Sequence, residues 1–327
     1  QPLRDICQEC LTAFGAGHPR CPGCGAERPS DGWRLLQDFP DVWLGRMLSE
    51  RYRLLQRLGT GTFGSVYRAK RPHLADQYAV KIIDLDDSQF GAQGPTLRDR
   101  VDREVRILSS ISTPHLVSFH DVIELPGASI AVVMDYVQGE TLGELLDRTG
   151  PLSLSRSLQF GIEIATGLRA VHQRGVVHRD LKPDNIMIQS MGGHREFVEI
   201  IDFGIARYEN ETSQTVGFIG TPRYTSPEQA KGESAGRTSD IYNLGMLLFH
   251  MLVGRPPFNQ QNATDLLAAH SRQQAPLLSE AADEREIPPA LDRLVRSMLA
   301  KEPADRPVEI GQVLDLLQPL RRRRDGR

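Results

Sequence analysis

The spacing of apolar residues changes from strand-like to helical part-way along the chain. Between Arg51 and Val137, short apolar runs typical of strands surround one stretch with helical spacing, formed by Leu97, Val101, Val105 and Leu108. From Thr141 onward helical spacing dominates, first in Leu154, Leu158, Ile162 and Ala165. A nearly all-apolar helix follows, with Leu244, Leu247, Leu248, Met251 and Leu252, and such a helix belongs in the centre of a helical domain. The pattern predicts an α+β protein, with a small sheet and one helix followed by a helical region.

The first two dozen residues hold all four cysteines, arranged as two C-x2-C pairs with ten residues between them: Cys7, Cys10, Cys21 and Cys24. Two such pairs can surround one metal ion with four thiolates, and Gly23 and Gly25 permit the tight turn that points backbone amides at sulfur. This spacing resembles a zinc ribbon or a rubredoxin-like knuckle. We expect a four-cysteine module over residues 1–28 that holds a structural metal ion, with Zn2+ favoured over iron. Two disulfides are the alternative, and a reducing compartment disfavours them.

Residues 29–50 contain the proline, aspartate and glycine residues typical of a linker, but they are too apolar for a free tether. The apolar members are Trp33, Leu35, Leu36, Phe39, Val42, Trp43 and Leu44. We therefore expect this linker to pack on a neighbouring domain.

Composition and charge limit the possible partners. The chain has 327 residues, of which 39% are apolar and 25% charged, and its formal net charge is −3, as expected for a soluble globular protein. The basic residues near the cysteines are too sparse for a nucleic-acid surface. No run reaches the ~18 apolar residues that would span a bilayer, and the start lacks a signal-peptide pattern, so we expect a cytoplasmic location. Within a basic tail at 319–327, four consecutive arginines resemble the cytoplasmic flank of a membrane anchor; a solvated tail is equally consistent with them.

A glycine-rich segment, G-T-G-T-F-G-S-V, contains Gly59, Gly61 and Gly64. The G-x-G-x-x-G spacing alone is also compatible with an ordinary turn. A dinucleotide-binding fold would need a helix directly after the third glycine, but the residues from Ser65 to Ala69 alternate like a strand. Glycines between two strands let backbone amides close over phosphate oxygens without a side-chain clash. The segment therefore predicts a phosphate-binding loop.

Lys81 lies in the strand-like run Y-A-V-K-I-I, where its charge needs an anionic partner. Glu104, on the predicted helix, is the best candidate for that partner, and phosphate oxygens are a second. A solvated helix carboxylate is the simpler alternative for Glu104.

Further along stand V-H-R-D-L-K-P-D-N-I, I-I-D-F-G-I-A and the triplet Ser226-Pro227-Glu228. Together with the glycine-rich loop and the strand lysine, they follow the order found in protein kinases. From about Arg51 to Leu317, the chain resembles the eukaryotic-like Ser/Thr protein kinases that also occur in bacteria. The resemblance implies a bilobal kinase fold, with an N-lobe at 51–137 that contains an antiparallel sheet and one helix, and a helical C-lobe at 138–318.

The resemblance also implies roles for individual residues. Asp180 would orient the substrate hydroxyl and accept its proton, while Lys182 would neutralise charge on the γ-phosphoryl group and favours Ser/Thr over Tyr substrates. Asn185 and Asp202 would hold Mg2+ through oxygen ligands. Lys81 would hold the α- and β-phosphates of ATP and pair with Glu104.

The remaining ATP contacts follow from the same resemblance. Met134 matches the gatekeeper position, and the hinge at Asp135 to Val137 would offer backbone groups to the adenine edge. The expected ATP-binding set is Gly59, Thr60, Gly61, Thr62, Phe63, Gly64, Val66, Ala79, Lys81, Met134, Asp135 and Val137. For Val66 and Ala79, an ordinary place in the sheet core is an alternative interpretation that is compatible with this one.

A polar segment between Asp202 and Glu228 carries the candidate activation-loop phosphosites, first Thr215 and then Thr212 and Ser213. Arg179, directly before Asp180, would pair with such a phosphate. Thr221 matches the threonine that contacts Asp180 and Lys182 in Ser/Thr kinases. We further expect Glu228 to pair with Arg306, and Asp240 to brace the catalytic-loop backbone.

Two functional hypotheses follow. The first is an active Ser/Thr kinase that uses ATP and Mg2+, phosphorylates proteins including its own activation loop, and carries a zinc ribbon able to bind a protein partner or a second copy. The second is a catalytically inactive pseudokinase scaffold in which both modules only bind partners. The completeness of the lysine, aspartate and asparagine set favours the first hypothesis.

Overall fold

The computed structural model of the chain describes residues 2–61, 64–72, 74, 76–84, 97–127, 129–191, 195–204, 222–282 and 286–325. It divides into two compact units. Unit 1 comprises Gln1–Ser109 and Ser118–Tyr136, and unit 2 comprises Ser110–Val117 and Val137–Arg327.

Unit 1 is built on a six-stranded antiparallel sheet and one helix, as the apolar pattern predicted. The strands are β4 (Met47–Leu48), β5 (Tyr52–Gly61), β6 (Gly64–Lys70), β7 (Gln77–Asp84), β8 (Phe119–Leu125) and β9 (Ser129–Asp135), in the order β4-β5-β6-β7-β9-β8. The helix is α1 (Leu97–Ser109), which buries Val101, Val105 and Leu108. The glycine-rich segment joins β5 to β6, two antiparallel neighbours, which confirms its predicted place between strands.

The cysteine-containing segment of unit 1 forms a second, three-stranded sheet. Its strands are β1 (Asp5–Ile6), β2 (Ala13–Phe14) and β3 (Arg34–Leu35), in the order β2-β1-β3. Ile6 and Ala13 are buried in the same apolar cluster as Tyr52 and Leu54 of β5. The small sheet therefore shares a hydrophobic core with the large one.

The segment that follows β3 also packs on the large sheet. Leu44 and Leu48 are buried in the shared cluster, and β4 pairs with β5 as an additional strand at its edge. Val42 is the exception among its apolar residues, because 62% of its surface is exposed.

Unit 2 is mainly helical, in agreement with the predicted change of period. A three-stranded sheet contains β10 (Glu140–Thr141), β11 (Ile186–Met191) and β12 (Arg195–Ile200). The helices are α2 (Leu142–Thr149), α3 (Leu154–His172), α4 (Pro227–Ala230), α5 (Arg237–Val253), α6 (Ala263–Arg272), α7 (Leu278–Ala281), α8 (Pro289–Met298) and α9 (Ile310–Asp325).

Local signals set the ends of these helices, and burial sets their places. Thr141 caps α2 through a capping box with Glu144, and Gly254 ends α5 in a left-handed conformation. Helix α5 is buried along nearly its whole length, which confirms its predicted central place in the helical part. The arginine run at 321–324 lies within α9.

Among the described residues, no helix is both long and apolar enough to cross a membrane.

Candidate active site

In unit 1, the strand register aligns several of the predicted nucleotide-binding residues. Gly59 on β5 lies opposite Val66 on β6, and Val66 lies opposite Lys81 on β7. Ala79, two residues before Lys81, is paired with Met134 on β9. These residues therefore lie in adjacent rows of one sheet. The partnership of Lys81 with Glu104, which lies on α1, stays a prediction.

Gly64 is the glycine of the loop that the backbone requires most strictly. Its φ is +132°, and a Cβ atom at this position would lie 1.8 Å from the carbonyl oxygen of Ile82 on β7. Any side chain would push β6 away from the strand that carries Lys81. Thr62 and Phe63, also predicted to contact ATP, lie outside the described residues.

In unit 2, the loop that precedes Asp180 has a strained backbone held by side chains of α4 and α5. Arg179 has a φ of +66°, an unfavourable value for a residue with a side chain. The carboxylate of Asp240 accepts hydrogen bonds from the backbone N–H groups of His178 at 2.8 Å and Arg179 at 2.9 Å. The side-chain amide of Gln229 donates to the Arg179 carbonyl at 2.8 Å. The expected bracing role of Asp240 is thus confirmed.

The predicted catalytic side chains of unit 2 are close together. Lys182 Nζ lies 3.3 Å from Asp180 Oδ2. The side-chain nitrogen of Asn185 donates to the backbone carbonyl of Asp180 at 2.7 Å and to Asp180 Oδ2 at 3.2 Å. Because the Asn185 nitrogen is bound to Asp180, its carbonyl oxygen is the atom suited to bind a metal ion.

The D-F-G segment is held against the same loop. The backbone N–H of Ile201 donates to the carbonyl of Asn185 at 3.0 Å. Asp202, the next residue after Ile201, therefore lies close to Asn185. The Phe203 ring lies 4.6 Å from the His178 ring, and the N–H of Gly204 donates to the His178 carbonyl at 3.0 Å. Burial lowers the pKa of His178, so its imidazole is neutral at pH 7 and accepts the Asp180 N–H through Nδ1.

Unit 2 also contains a buried ion pair between Glu228 and Arg306. Both carboxylate oxygens of Glu228 accept hydrogen bonds from Arg306, each at 2.8 Å, and Ser239 donates to the same carboxylate. The pairing of Glu228 with Arg306 was expected from the sequence.

The four cysteines of unit 1 form a compact cluster. Their sulfur atoms all lie within 4.8 Å of one another, with Cys7 to Cys24 at 3.7 Å and Cys10 to Cys21 at 3.5 Å. A tetrahedral zinc site with Zn–S bonds of about 2.3 Å would separate its sulfurs by about 3.8 Å, so the cluster has suitable dimensions. The N–H of Gly23 points at Cys21 Sγ at 3.3 Å, as its position in the knuckle predicted. Burial raises the pKa of the Cys7 thiol to about 12, so metal binding there must displace a proton.

Some predicted residues lie outside the described ones: the phosphosite candidates Thr212, Ser213 and Thr215, and the proposed substrate contact Thr221. Conversely, two supporting residues were not predicted. One is Gln229, described above. The other is Asn243, whose amide donates to the carbonyls of Tyr224 at 2.6 Å and Leu181 at 3.3 Å. Both are ordinary amides in the sequence, and only their closeness to Glu228 and Asp240 in the chain could have suggested them.

Comparisons with known proteins agree with this architecture. The protein kinase domain model matches residues 52–316. The chain is 32% identical to serine/threonine-protein kinase pkn3 of Myxococcus xanthus over 298 residues, which cover 88% of the chain and 53% of that protein. It is 38% identical to the probable serine/threonine-protein kinase SCO3848 of Streptomyces coelicolor over 267 residues, or 79% and 38% of the two chains. With PknD of Mycobacterium tuberculosis, the identity is 35% over 264 residues, or 80% and 38%.

By its fold, the chain is an α+β protein with one sheet-rich unit and one helical unit. Within that class, the chain belongs to the protein kinase domain family. It spans about half or less of the length of these curated relatives.

Proposed function

We propose that this chain is an active Ser/Thr protein kinase that transfers the γ-phosphoryl group of ATP to protein hydroxyls. The observation that best supports this function is the constellation in unit 2, where Lys182 and Asn185 both contact the Asp180 carboxylate and Asp202 follows the residue bonded to Asn185. A pseudokinase scaffold would have no need to hold these side chains in this arrangement.

In the proposed reaction, the substrate hydroxyl oxygen forms a bond to the γ-phosphorus while the bond from that phosphorus to the β–γ bridging oxygen breaks, releasing ADP. Asp180 orients the hydroxyl and accepts its proton. Lys182 neutralises charge that develops on the transferred group, and Asn185 and Asp202 hold Mg2+. When bound, Mg2+ offsets the negative charge of the phosphates. Positioning and charge stabilisation supply most of the catalysis in phosphoryl transfer, and these four side chains are suited to both.

Unit 1 would bind the nucleotide. Lys81, paired with Glu104, holds the α- and β-phosphates, and the amides of the glycine-rich loop cover the β- and γ-phosphates. Met134 and the hinge from Asp135 to Val137 bind the adenine, with Val66 and Ala79 against its faces. The alignment of Gly59, Val66 and Lys81 across the strands supports this assignment.

Regulation is proposed through the activation loop. Arg179 would pair with a phosphate on Thr215, or on Thr212 or Ser213, and Thr221 would contact Asp180 and Lys182. Phosphosite mapping after incubation with ATP tests this assignment. Phosphate only at residues outside the loop would contradict it.

For the cysteine cluster, we propose a structural Zn2+ site that holds the ribbon together and leaves its outer surface to bind a protein partner or a second copy. The sulfur distances and the Gly23 N–H support metal binding. Because this chemistry needs reduced thiols and the kinase needs ATP, we propose a cytoplasmic location for the whole chain.

Incubation of the chain with γ-labelled ATP, Mg2+ and a generic protein substrate tests the kinase function. We expect label on the chain or on the substrate with wild type, and none with Asp202→Ala. Asp315→Asn, which neutralises an exposed aspartate on α9, is the matched control and should behave as wild type. Equal labelling by wild type and Asp202→Ala, or no labelling by either, would contradict the proposal.

A further inference from the structure

Asp41, in the segment between the ribbon and β4, carries a buried charge that neither the nucleotide site nor the metal site uses. Only 2% of its side chain is exposed. A carboxylate removed from water needs several hydrogen-bond donors to remain ionised without a large cost. The partners of this carboxylate therefore indicate what it holds in place.

Two of those partners are directly opposed residues on neighbouring strands. Arg57 Nη1 on β5 lies 3.2 Å from Asp41 Oδ2. The hydroxyl of Tyr67 on β6 donates to the carboxylate, at 2.9 Å from Oδ1 and 3.0 Å from Oδ2. Arg57 and Tyr67 are paired with each other in the register of β5 and β6. One carboxylate thus joins both strands at the same level.

This level is the base of the glycine-rich loop. Directly after the Arg57–Tyr67 pair the register shifts, and the next aligned pair is Gly59 with Val66. A register irregularity is a point where two strands can slide or splay, unless side chains fix it. The glycines beyond it have no side chains with which to do so, and the hydroxyl of Ser65 makes only a long, exposed hydrogen bond of 3.4 Å to that of Thr60.

The Asp41 carboxylate is itself held firmly. Its Oδ1 accepts the backbone N–H groups of Trp43 at 3.0 Å and Leu44 at 3.2 Å. Beyond Leu44, the chain is bonded to β5, because Gly45 N–H donates to the Leu54 carbonyl at 3.0 Å. Burial, and then the hydrogen bond and charge of Asp41, raise the pKa of Tyr67, so its hydroxyl remains a donor.

We propose that Asp41 is a positioning residue for nucleotide binding: by fixing the Arg57–Tyr67 pair, it sets the register at the base of the glycine-rich loop and thereby places the loop amides for the phosphates. This inference rests on the proposed ATP-binding function. Asp41 precedes residues 52–316, which match the protein kinase domain model, so the proposal assigns a role in nucleotide binding to a residue outside that region.

The test compares the wild-type chain with Asp41→Asn and with Tyr67→Phe, which removes only one hydroxyl. For Asp41→Asn, we expect the dissociation constant for MgADP, measured by calorimetry, to rise about 3- to 10-fold, or about 0.6–1.4 kcal/mol. Tyr67→Phe should give a smaller rise. KM for ATP should rise in parallel, and KM for the protein substrate should not change. Hydrogen exchange without nucleotide should quicken at the ends of β5 and β6 that adjoin the loop.

Two control variants separate positioning from general stability. Asp38→Asn removes an exposed carboxylate from the same segment. Asp121→Asn removes an ion pair in which Arg51 Nη1 lies 2.8 Å from Asp121 Oδ2. Arg51 directly precedes β5, at the end of the strand opposite the loop. Neither control should alter MgADP affinity or exchange beside the loop.

The possible outcomes are distinct. If wild type binds MgADP and Asp41→Asn binds it equally, with only a lower unfolding temperature, Asp41 is merely structural and the inference is wrong. If Asp41→Asn does not fold, Tyr67→Phe decides: wild-type affinity and wild-type exchange in that variant overturn the inference. If wild type itself binds no nucleotide, the proposed function fails and the inference about nucleotide binding fails with it, whereas the exchange data still report separately whether Asp41 fixes the register.

Discussion

Replacing Arg306 by methionine should strongly destabilise unit 2. The guanidinium is fully buried and all its donors are used: it bonds both Glu228 oxygens, and it donates to the carbonyls of Thr238, Ala300 and Lys301 at 2.8–3.0 Å. In Arg306→Met, the Glu228 carboxylate would remain buried with the Ser239 hydroxyl as its remaining side-chain donor. The three carbonyls would also lose their donor.

The burial and pairing of Arg306 set the size of the expected loss in the free energy of unfolding. Breaking a buried ion pair by removing one partner costs about 3–5 kcal/mol, because the other charge stays buried without compensation. Replacing Glu228 as well, in Arg306→Met with Glu228→Leu, removes that charge, so the double variant should be more stable than Arg306→Met alone. The matched surface control is Lys231→Met, which breaks the 3.7 Å pair with the exposed Glu302 and should cost at most about 1 kcal/mol.

Denaturant unfolding followed by far-ultraviolet circular dichroism is the suitable assay. The helices of unit 2 dominate this signal, whereas both tryptophans of the chain, Trp33 and Trp43, lie in unit 1 and report on that unit. If Arg306→Met costs no more than Lys231→Met, or if the double variant is less stable than the single one, the reasoning about the buried charge is wrong.

The same pair predicts a pH dependence. Burial acts to raise the pKa of Glu228, but the hydrogen bonds from Arg306 and Ser239 and the charge of Arg306 together lower it. Because the folded-state pKa is lowered, the unfolded chain takes up the proton first. The stability contributed by the pair is therefore present above about pH 4.3 and is lost as the pH falls through the folded-state pKa. The difference in the free energy of unfolding between wild type and Arg306→Met should therefore become smaller as the pH falls below about 4.3.

Three further predictions concern other parts of the chain. Removing metal with a chelator should release about one zinc ion per chain and change the fluorescence of Trp33, which packs on Cys7 and Cys21; metal-free protein with unchanged fluorescence would contradict this. Gly64→Ala should destabilise unit 1 by about 1–3 kcal/mol in thermal unfolding because of its φ and its contact with β7, whereas Gly59→Ala, with open space around its Cβ position, should cost less. Burial lowers the pKa of His270 to about 3, so the unfolded chain binds the proton first and about 2 kcal/mol of stability should be lost between pH 7 and pH 5; an equal loss in His270→Gln would refute this source.

The residues that we propose to bind ATP and to react could be named from the sequence alone, because phosphoryl transfer dictates their type and their order. Lys81, Asp180, Asn185 and Asp202 form the set that the proposed reaction requires. The alternation after Gly64 was sufficient to place the loop between two strands. The periods of the apolar residues likewise predicted the sheet and the central helix α5. These signals are local, and each can be read within one stretch of chain.

The long-range arrangement was less accessible. Asp41 looked like an ordinary linker aspartate, because nothing near it in the chain shows that Arg57 and Tyr67 would converge on it. The left-handed conformation of Arg179 is imposed from outside by Asp240 and Gln229, which are distant in sequence. The ribbon was predicted as a separate unit, whereas Ile6 is buried in a core shared with the large sheet. In each case the decisive contacts join residues far apart in sequence.

The proposed kinase function depends above all on Asp180, which orients serine and threonine hydroxyls and accepts their proton during phosphoryl transfer. It is tested most directly by incubating wild type and Asp180→Asn with Mg2+ and ATP and determining which amino acids become phosphorylated. We predict phosphoserine or phosphothreonine in wild type and none in Asp180→Asn, although both bind MgADP with similar affinity. Equal phosphorylation of the two proteins, or phosphate on tyrosine alone, would contradict the claim.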